Sequence, residues 1–99
     1  MDQYELIQRA WALTEAIEAA ASAEDWARAA ELTEARSSLL MRLHGEQSAE
    51  SIVIVRRIQA SIERMMGRSL DAQAMLATAY RKSTDQAQAA ARYQKAAWL

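Results

Sequence analysis

Few side chains in this sequence are of the kinds that perform catalysis. His44 is the only histidine among the 99 residues, and cysteine is absent. The usual nucleophile–base pairs therefore cannot be assembled, and neither a thiolate nor a disulfide framework can form. Metal ligands would have to be carboxylates, but the Glu-x-x-His pattern of di-metal helical bundles does not occur. We therefore expect no enzymatic activity, no cofactor and no metal centre.

The charged residues also give no clear site. Several acidic residues fall mainly on predicted polar helix faces, where solvated charges are expected: Glu15, Glu18, Glu31, Glu34 and Glu63. The bases Arg57, Arg64 and Arg68 share one side of a predicted helix, a spacing that can follow nucleic-acid phosphates. Against this interpretation, the formal net charge is −1 and Asp71 is placed to pair with Arg68 or Arg64. Direct nucleic-acid binding is therefore not expected.

Composition predicts an all-α fold. Proline is absent, only two glycines occur, and good helix formers such as alanine, leucine, glutamate and arginine dominate. A chain of this length has room for one domain, covering residues 1–99. No apolar run approaches the ~20 residues of a membrane span, and the N-terminus is polar where a secretory signal would be apolar. A soluble cytoplasmic protein without membrane insertion is the expectation.

Capping signals divide the chain into helices. The first helix is predicted over Gln3–Ala21, with Asp2 near its N-terminus. Ser22 to Asp25 forms a short connection, so the first two helices make an antiparallel hairpin. The second helix is predicted over Ala23–His44, where alanines allow a neighbouring helix to come close. Arg36, placed among its apolar positions, is expected to lay its methylenes along the core rather than to bind a ligand.

The third helix is predicted to begin near Ala49, after a break. Gly45 can adopt the left-handed conformation that ends a helix, and Ser48 can cap the next one. From there a three–four alternation of mostly apolar residues, here called the main stripe, predicts the face on which the hairpin packs. Its members are Val55, Ile58, Ile62, Met65, Ser69, Ala72, Leu76 and Ala79. Gly67 lies in this helix without changing the phase, as a close-packing or bending point.

The end of the third helix is predicted near Ser83. Ser83 to Gln86 resembles a capping box, which would start a separate short helix from Thr84 to about Ala97. That segment is rich in alanine and buries little apolar area, so it is weakly held. Residues 84–99 are thus either a mobile C-terminal helix or a frayed end without a role. The predicted architecture is a three- to four-helix bundle.

A second strip of apolar and amide side chains lies beside the main stripe on the third helix. Its members are Met66, Leu70, Gln73 and Tyr80, and Met41 of the second helix can extend it. Methionine-bearing grooves adapt to partner side chains, and an amphipathic helix in such a groove is a common mode of recognition. The second strip is therefore the candidate partner-binding site. Two alternatives stay open: burial in a thicker core, and a homodimer interface without a client.

The order of several short motifs resembles the FliT family of flagellar type III export chaperones. Asp25-Trp26 opens the second helix, Arg36 is followed by leucines, and the long third helix carries Met66-Gly67-Arg68-Ser69 and ends in Leu76-Ala-Thr-Ala-Tyr80. The likeness covers most of the chain, from about Trp11 to Tyr80. Its specificity lies in the order and spacing of the motifs.

This resemblance implies a small helical-bundle chaperone of the bacterial cytoplasm. Its client would be the C-terminal helical region of the filament-cap protein, FliD, which it would deliver to the export gate and ATPase. In some lineages such chaperones also antagonise the flagellar master transcription regulator. The family's C-terminal helix covers part of the binding surface, and Thr84–Ala97 stands in that position. The alanine-rich tail and the short chain depart from the family pattern.

Overall fold

The fold consists of three α-helices in a computed structural model that describes residues 1–97. They are α1 (Gln3–Ser22), α2 (Trp26–Leu40) and α3 (Ala49–Ala97), and the described residues contain no strand. The predicted all-α class, with a hairpin and a long third helix, is confirmed. The chain divides into a first unit, Met1–Gly67, and a second unit, Arg68–Leu99.

The start of α1 follows its sequence signal. The Asp2 carboxylate accepts a hydrogen bond of 2.8 Å from the backbone N–H of Glu5. This bond satisfies one of the amide groups that have no partner in the first turn, and the negative charge suits the positive end of the helix dipole. The predicted N-cap is confirmed.

The turn between α1 and α2 is a Schellman motif closed by a glutamate. Glu24 adopts φ 58°, in the left-handed region. Its N–H donates to the carbonyl of Ala21 at 3.0 Å, and the N–H of Asp25 donates to that of Ala20 at 2.9 Å. This pattern satisfies the last carbonyls of α1. Asp25 then caps α2 by accepting from the N–H of Arg28 at 3.1 Å.

Replacing Glu24 by glycine is expected to raise the free energy of unfolding by about 0.5–1 kcal/mol. A side chain in the left-handed region costs about 1–2 kcal/mol, and the greater freedom of glycine in the unfolded chain offsets part of that gain. The measurement is urea unfolding of the full chain. As a control, Ala35→Gly, in the exposed interior of α2, should lower the free energy of unfolding by about 1 kcal/mol. Loss of stability in Glu24→Gly would contradict the turn geometry.

The core of the first unit is built mainly by α1, which lies against both other helices. Seven of its residues are buried: Leu6, Ile7, Ala10, Thr14, Ile17, Ala20 and Ala21. Ile17, Ala20 and Ala29 form a cluster against which Trp26, Leu32 and Met65 pack. Because α1 meets two partners, its buried face is wider than one stripe. Thr14 is fully buried, whereas the neighbouring Leu13 is only half-buried.

α2 ends at Leu40, four residues before the predicted end. Its last turn tightens, with the N–H groups of Arg42 and Leu43 donating to carbonyls three residues earlier at 3.1 Å. Gly45 does not have a positive φ, so the predicted glycine-dependent ending was wrong. A side-chain amide holds the following connection instead. Gln3 Nε2 donates to the carbonyl of Arg42 at 3.2 Å, and Gln3 Oε1 accepts from the N–H of His44 at 2.9 Å.

α3 begins at Ala49, as predicted. Ser48 Oγ accepts from the N–H of Ser51 at 3.2 Å, which confirms Ser48 as the cap. Gly67 is a helical position where an added Cβ would meet nothing within 4 Å, so it is not a close-packing point.

The predicted break near Ser83 was wrong, because α3 continues to Ala97. Thr84 Oγ1 donates to the carbonyl of Tyr80 at 3.0 Å, so this hydroxyl bonds back into the helix. With no glycine or proline after Gly67, nothing local stops the helix. The mobility suggested for residues 84–99 stays a prediction, and residues 98 and 99 lie outside the described part.

The second unit, as far as it is described, is helical throughout and largely exposed to solvent. Only Ser69, Ala72 and Thr84 are half-buried, and none of its described residues is fully buried. Among residues 1–97, no helix combines the length and hydropathy that a membrane-spanning segment needs.

Candidate helix-binding surface

A polar network fixes α3 against α1 in the first unit. Glu18 Oε1 accepts from Ser61 Oγ at 2.7 Å and from Arg64 Nη2 at 2.8 Å. Ser61 is fully buried, so this carboxylate satisfies a hydroxyl that has no access to water. The sequence pattern places Glu18 on a solvated face. The structure instead makes it the acceptor that sets the register of the two helices.

A second polar contact, made by Arg36, joins α2 to α1. Arg36 is 3% exposed, and its Nη1 donates to Thr14 Oγ1 at 3.1 Å. The Thr14 hydroxyl donates in turn to the carbonyl of Ala10 at 2.8 Å. Burial lowers the pKa of Arg36 below its ordinary value, and the negative charge of Glu18 raises it, opposing that effect. The guanidinium remains a cation near neutral pH. Arg36 thus lies along the core, as predicted, and its head group is buried too, with a bond to Thr14 that gives it a role within the fold.

Two arginines of the predicted basic ridge are engaged inside the first unit. Arg64 forms the ion pair with Glu18, and the Arg57 guanidinium carbon lies 5.2 Å from the centroid of the Trp11 ring. A cation over an indole face is attracted by the ring electrons. Trp11 is half-buried beside the core. These two charges help to hold α3 on α1.

All five residues proposed for partner binding are exposed. In the first unit, Met66 and Met41 are 62% and 86% exposed, and Met41 lies just beyond the end of α2 rather than within it. In the second unit, Leu70, Gln73 and Tyr80 are exposed and are separated by three and seven residues. This spacing places the three on one side of the second unit's helix. Their role in binding stays a prediction.

The main stripe is covered in the first unit and partly covered at Ser69 and Ala72 of the second unit. Ile58 is buried there and Val55, Ile62 and Met65 are half-buried, which confirms the packing expected for this part. In the second unit, Leu76 is 70% exposed and Ala79 is also exposed, so their predicted burial was wrong. The reason is that, in the part of this unit that the structure describes, no second element packs on the helix. The amphipathic pattern shows which residues share a helix face, but it does not show where the element that packs on that face ends.

The second unit therefore presents more apolar surface than the second strip alone. Three large side chains, each at least 61% exposed, lie on one side of this helix and make up what we call the exposed face: Leu70, Leu76 and Tyr80. Met75, which is 74% exposed, lies on another side of the helix. The sequence pattern places Leu76 in the core. Monomeric proteins rarely leave such a group in water unless it binds something.

Within residues 1–97, no three or more histidine, aspartate or glutamate side chains come together as metal ligands. His44 lies at the edge of a cleft of about 310 Å³ between the α2–α3 connection and α3, together with Ile52 and Arg56. No hydrogen-bond contact between the His44 ring and a serine or carboxylate is present in the described residues. Comparison with protein-family models, curated proteins and solved structures finds no match for this chain.

Proposed function

We propose that this protein is a flagellar export chaperone that binds the C-terminal helical region of a FliD-like filament-cap protein. The observation that carries the proposal is the exposed face of the second unit. Its side chains lie in water on a helix whose neighbouring unit has a well-packed core. A client helix that would otherwise aggregate can cover them.

The resemblance of the sequence to the FliT family supplies the identity of the client. In this proposal the chaperone acts in the bacterial cytoplasm and passes the cap protein to the export gate and ATPase. Binding of the flagellar master transcription regulator would use the same exposed face, since one amphipathic helix can replace another there.

The test is a titration of the full chain with the C-terminal region of the cap protein encoded in the same genome. We expect Leu70→Asp to weaken binding by about tenfold or more, because it removes an apolar contact and buries a charge at the interface. Isothermal titration calorimetry gives the dissociation constants. Val53→Asp is the matched control, since Val53 is similarly exposed but belongs to the first unit. Absence of binding by the wild-type chain would refute the client.

A homodimer without a client is the alternative explanation of the same surface. In that case, sedimentation equilibrium would show a dimer whose mass does not change with concentration. Leu70→Asp would then convert the dimer to monomers. A wild-type monomer that binds the cap-protein region supports the chaperone.

A further inference from the structure

The charges of the two units have opposite sign. The first unit carries seven basic and eleven acidic residues, a formal charge of −4. The second unit carries five basic and two acidic residues, a formal charge of +3. The formal net charge of the whole chain is −1, so it gives no sign of this separation. Whatever covers the exposed face of the second unit therefore meets a positive field.

A shallow groove in the second unit joins these charges to apolar surface. At one end it is lined by Ala74, Met75, Thr78, Ala79 and Lys82. It continues past Thr78 and Lys82 to Arg81, Asp85 and Gln86. We call it the Met75–Arg81 groove. Ridges of side chains on one helix pack into such grooves on another, so its shape suits a helix.

The cations of this groove have no ion-pair partners. Within residues 1–97, neither Arg81 nor Lys82 forms an ion pair, although Asp85 lies one turn further along. Two positive charges beside an apolar patch and near one carboxylate leave a positive excess. A carboxylate on a docked helix would satisfy it through charge-assisted hydrogen bonds.

We propose that the Met75–Arg81 groove binds an acidic amphipathic helix, whose apolar stripe covers Met75 and Ala79 and whose flanking carboxylates pair with Arg81 and Lys82. The proposal rests on the proposed function and specifies its client. Helical spacing puts the groove on the side of the helix away from Leu76 and Tyr80, so it takes a second segment of the client, which must carry glutamate or aspartate beside its apolar stripe. A nucleic acid would use the charges but leave Met75 in water. A lipid surface is disfavoured because insertion is driven by burial of apolar area, which contributes about 25 cal/mol per Å². The groove's alanines offer little such area.

The experiment uses the full chain and two synthetic peptides of about 20 residues with the same leucine stripe. One peptide has glutamate at the flanking positions, and the other has glutamine there. We expect the glutamate peptide to bind about tenfold more tightly at ~0.05 M salt and to lose this advantage at ~0.5 M salt, where screening is stronger. Fluorescence anisotropy of labelled peptides measures both affinities.

The paired variant Arg81→Gln with Lys82→Gln should abolish the preference for the glutamate peptide. Arg92→Gln with Lys95→Gln is the matched control, because it makes the same change of charge on residues that do not line the groove. Glutamine is a good helix former, and circular dichroism checks that helix content is unchanged. Met75→Asp should weaken binding of both peptides.

Several outcomes would overturn the proposal. One is equal binding of the two peptides at low salt, and another is an equal effect of the groove and control pairs. Binding to phosphatidylglycerol vesicles or to single-stranded DNA, with neither peptide bound, would assign the groove to a lipid or a nucleic acid. Salt-sensitive self-association that excludes both peptides would assign it to a second copy of the chain.

Failure of this inference differs from failure of the proposed function. If the cap-protein region binds and the groove pair has no effect on its affinity, the chaperone function stands and the groove is wrong. If the glutamate peptide binds through Arg81 and Lys82 but the cap-protein region does not bind, the groove stands and the client is wrong.

Discussion

Arg36→Ala is expected to lower the free energy of unfolding by about 2–4 kcal/mol. Arg36 is almost wholly buried, and its Nη1 donates to the buried hydroxyl of Thr14 at 3.1 Å. Removing the guanidinium deprives Thr14 of a donor, takes a positive charge away from Glu18 and leaves unfilled volume. Breaking a buried polar pair by removing one member costs much more than the pair contributes. Urea unfolding of the full chain, followed by circular dichroism, measures the change.

The matched control for this prediction is Arg28→Ala. Arg28 also lies on α2, but it is exposed and its ion pair with Glu31 spans 3.7 Å. Exposed pairs of this kind contribute about 0–1 kcal/mol, so this variant should unfold nearly as the wild type does. Arg36→Met keeps most of the side-chain volume and separates lost packing from lost charge. Equal stability of Arg36→Ala and Arg28→Ala would show that the buried network does not hold the helices together.

Ile58→Ala is expected to have a comparable effect, lowering the free energy of unfolding by about 2–4 kcal/mol. Ile58 is 1% exposed and is the only large apolar side chain of α3 that is fully buried in the described residues. Deleting its methyl and methylene groups loses transfer free energy and leaves a cavity where α3 packs in the first unit. The neighbouring Ser61 hydroxyl and its bond to Glu18 depend on the same packing.

Ile52→Ala is the control for Ile58→Ala, because it makes the same chemical change on the same helix at a residue that is 40% exposed. It should cost less than about 1 kcal/mol, since less apolar area leaves water on folding. Thermal and urea unfolding of both variants provide the comparison. If Ile52→Ala lowered the free energy of unfolding as much as Ile58→Ala does, α3 would have to pack through a different face.

The fold class and most helix starts could be predicted because they depend on local chemistry. Asp2 and Ser48 cap their helices through hydrogen bonds to amides three residues away. Such bonds need only the residue and its spacing. The ends of helices were harder to predict. Glu24, which has no intrinsic preference for the left-handed region, closes α1, whereas Gly45 lies outside that region. Here the packing of the hairpin overrides the local preference.

The candidate site was predicted only in part. The exposed members of the second strip, such as Leu70 and Tyr80, were identified from helical spacing. Leu76 was assigned to the core, because periodicity shows which residues share a helix face and not where the facing element stops. The polar network of Glu18 was missed for a related reason. Its partners Ser61 and Arg64 are more than forty residues away in the chain.

By itself, then, the sequence determined that this protein is helical. It also determined where two of its helices are capped and which side chains share a helix face. Each of these properties depends on residues within about one or two turns of one another. The tertiary structure alone decided that Arg36 is buried, that Glu18 bonds to Ser61 and Arg64, and that the fully buried residues of α3 in the described part all lie in the first unit. It also decided that Leu76 stays in water. These outcomes depend on which helices meet, and burial is a property of the contact rather than of the residue.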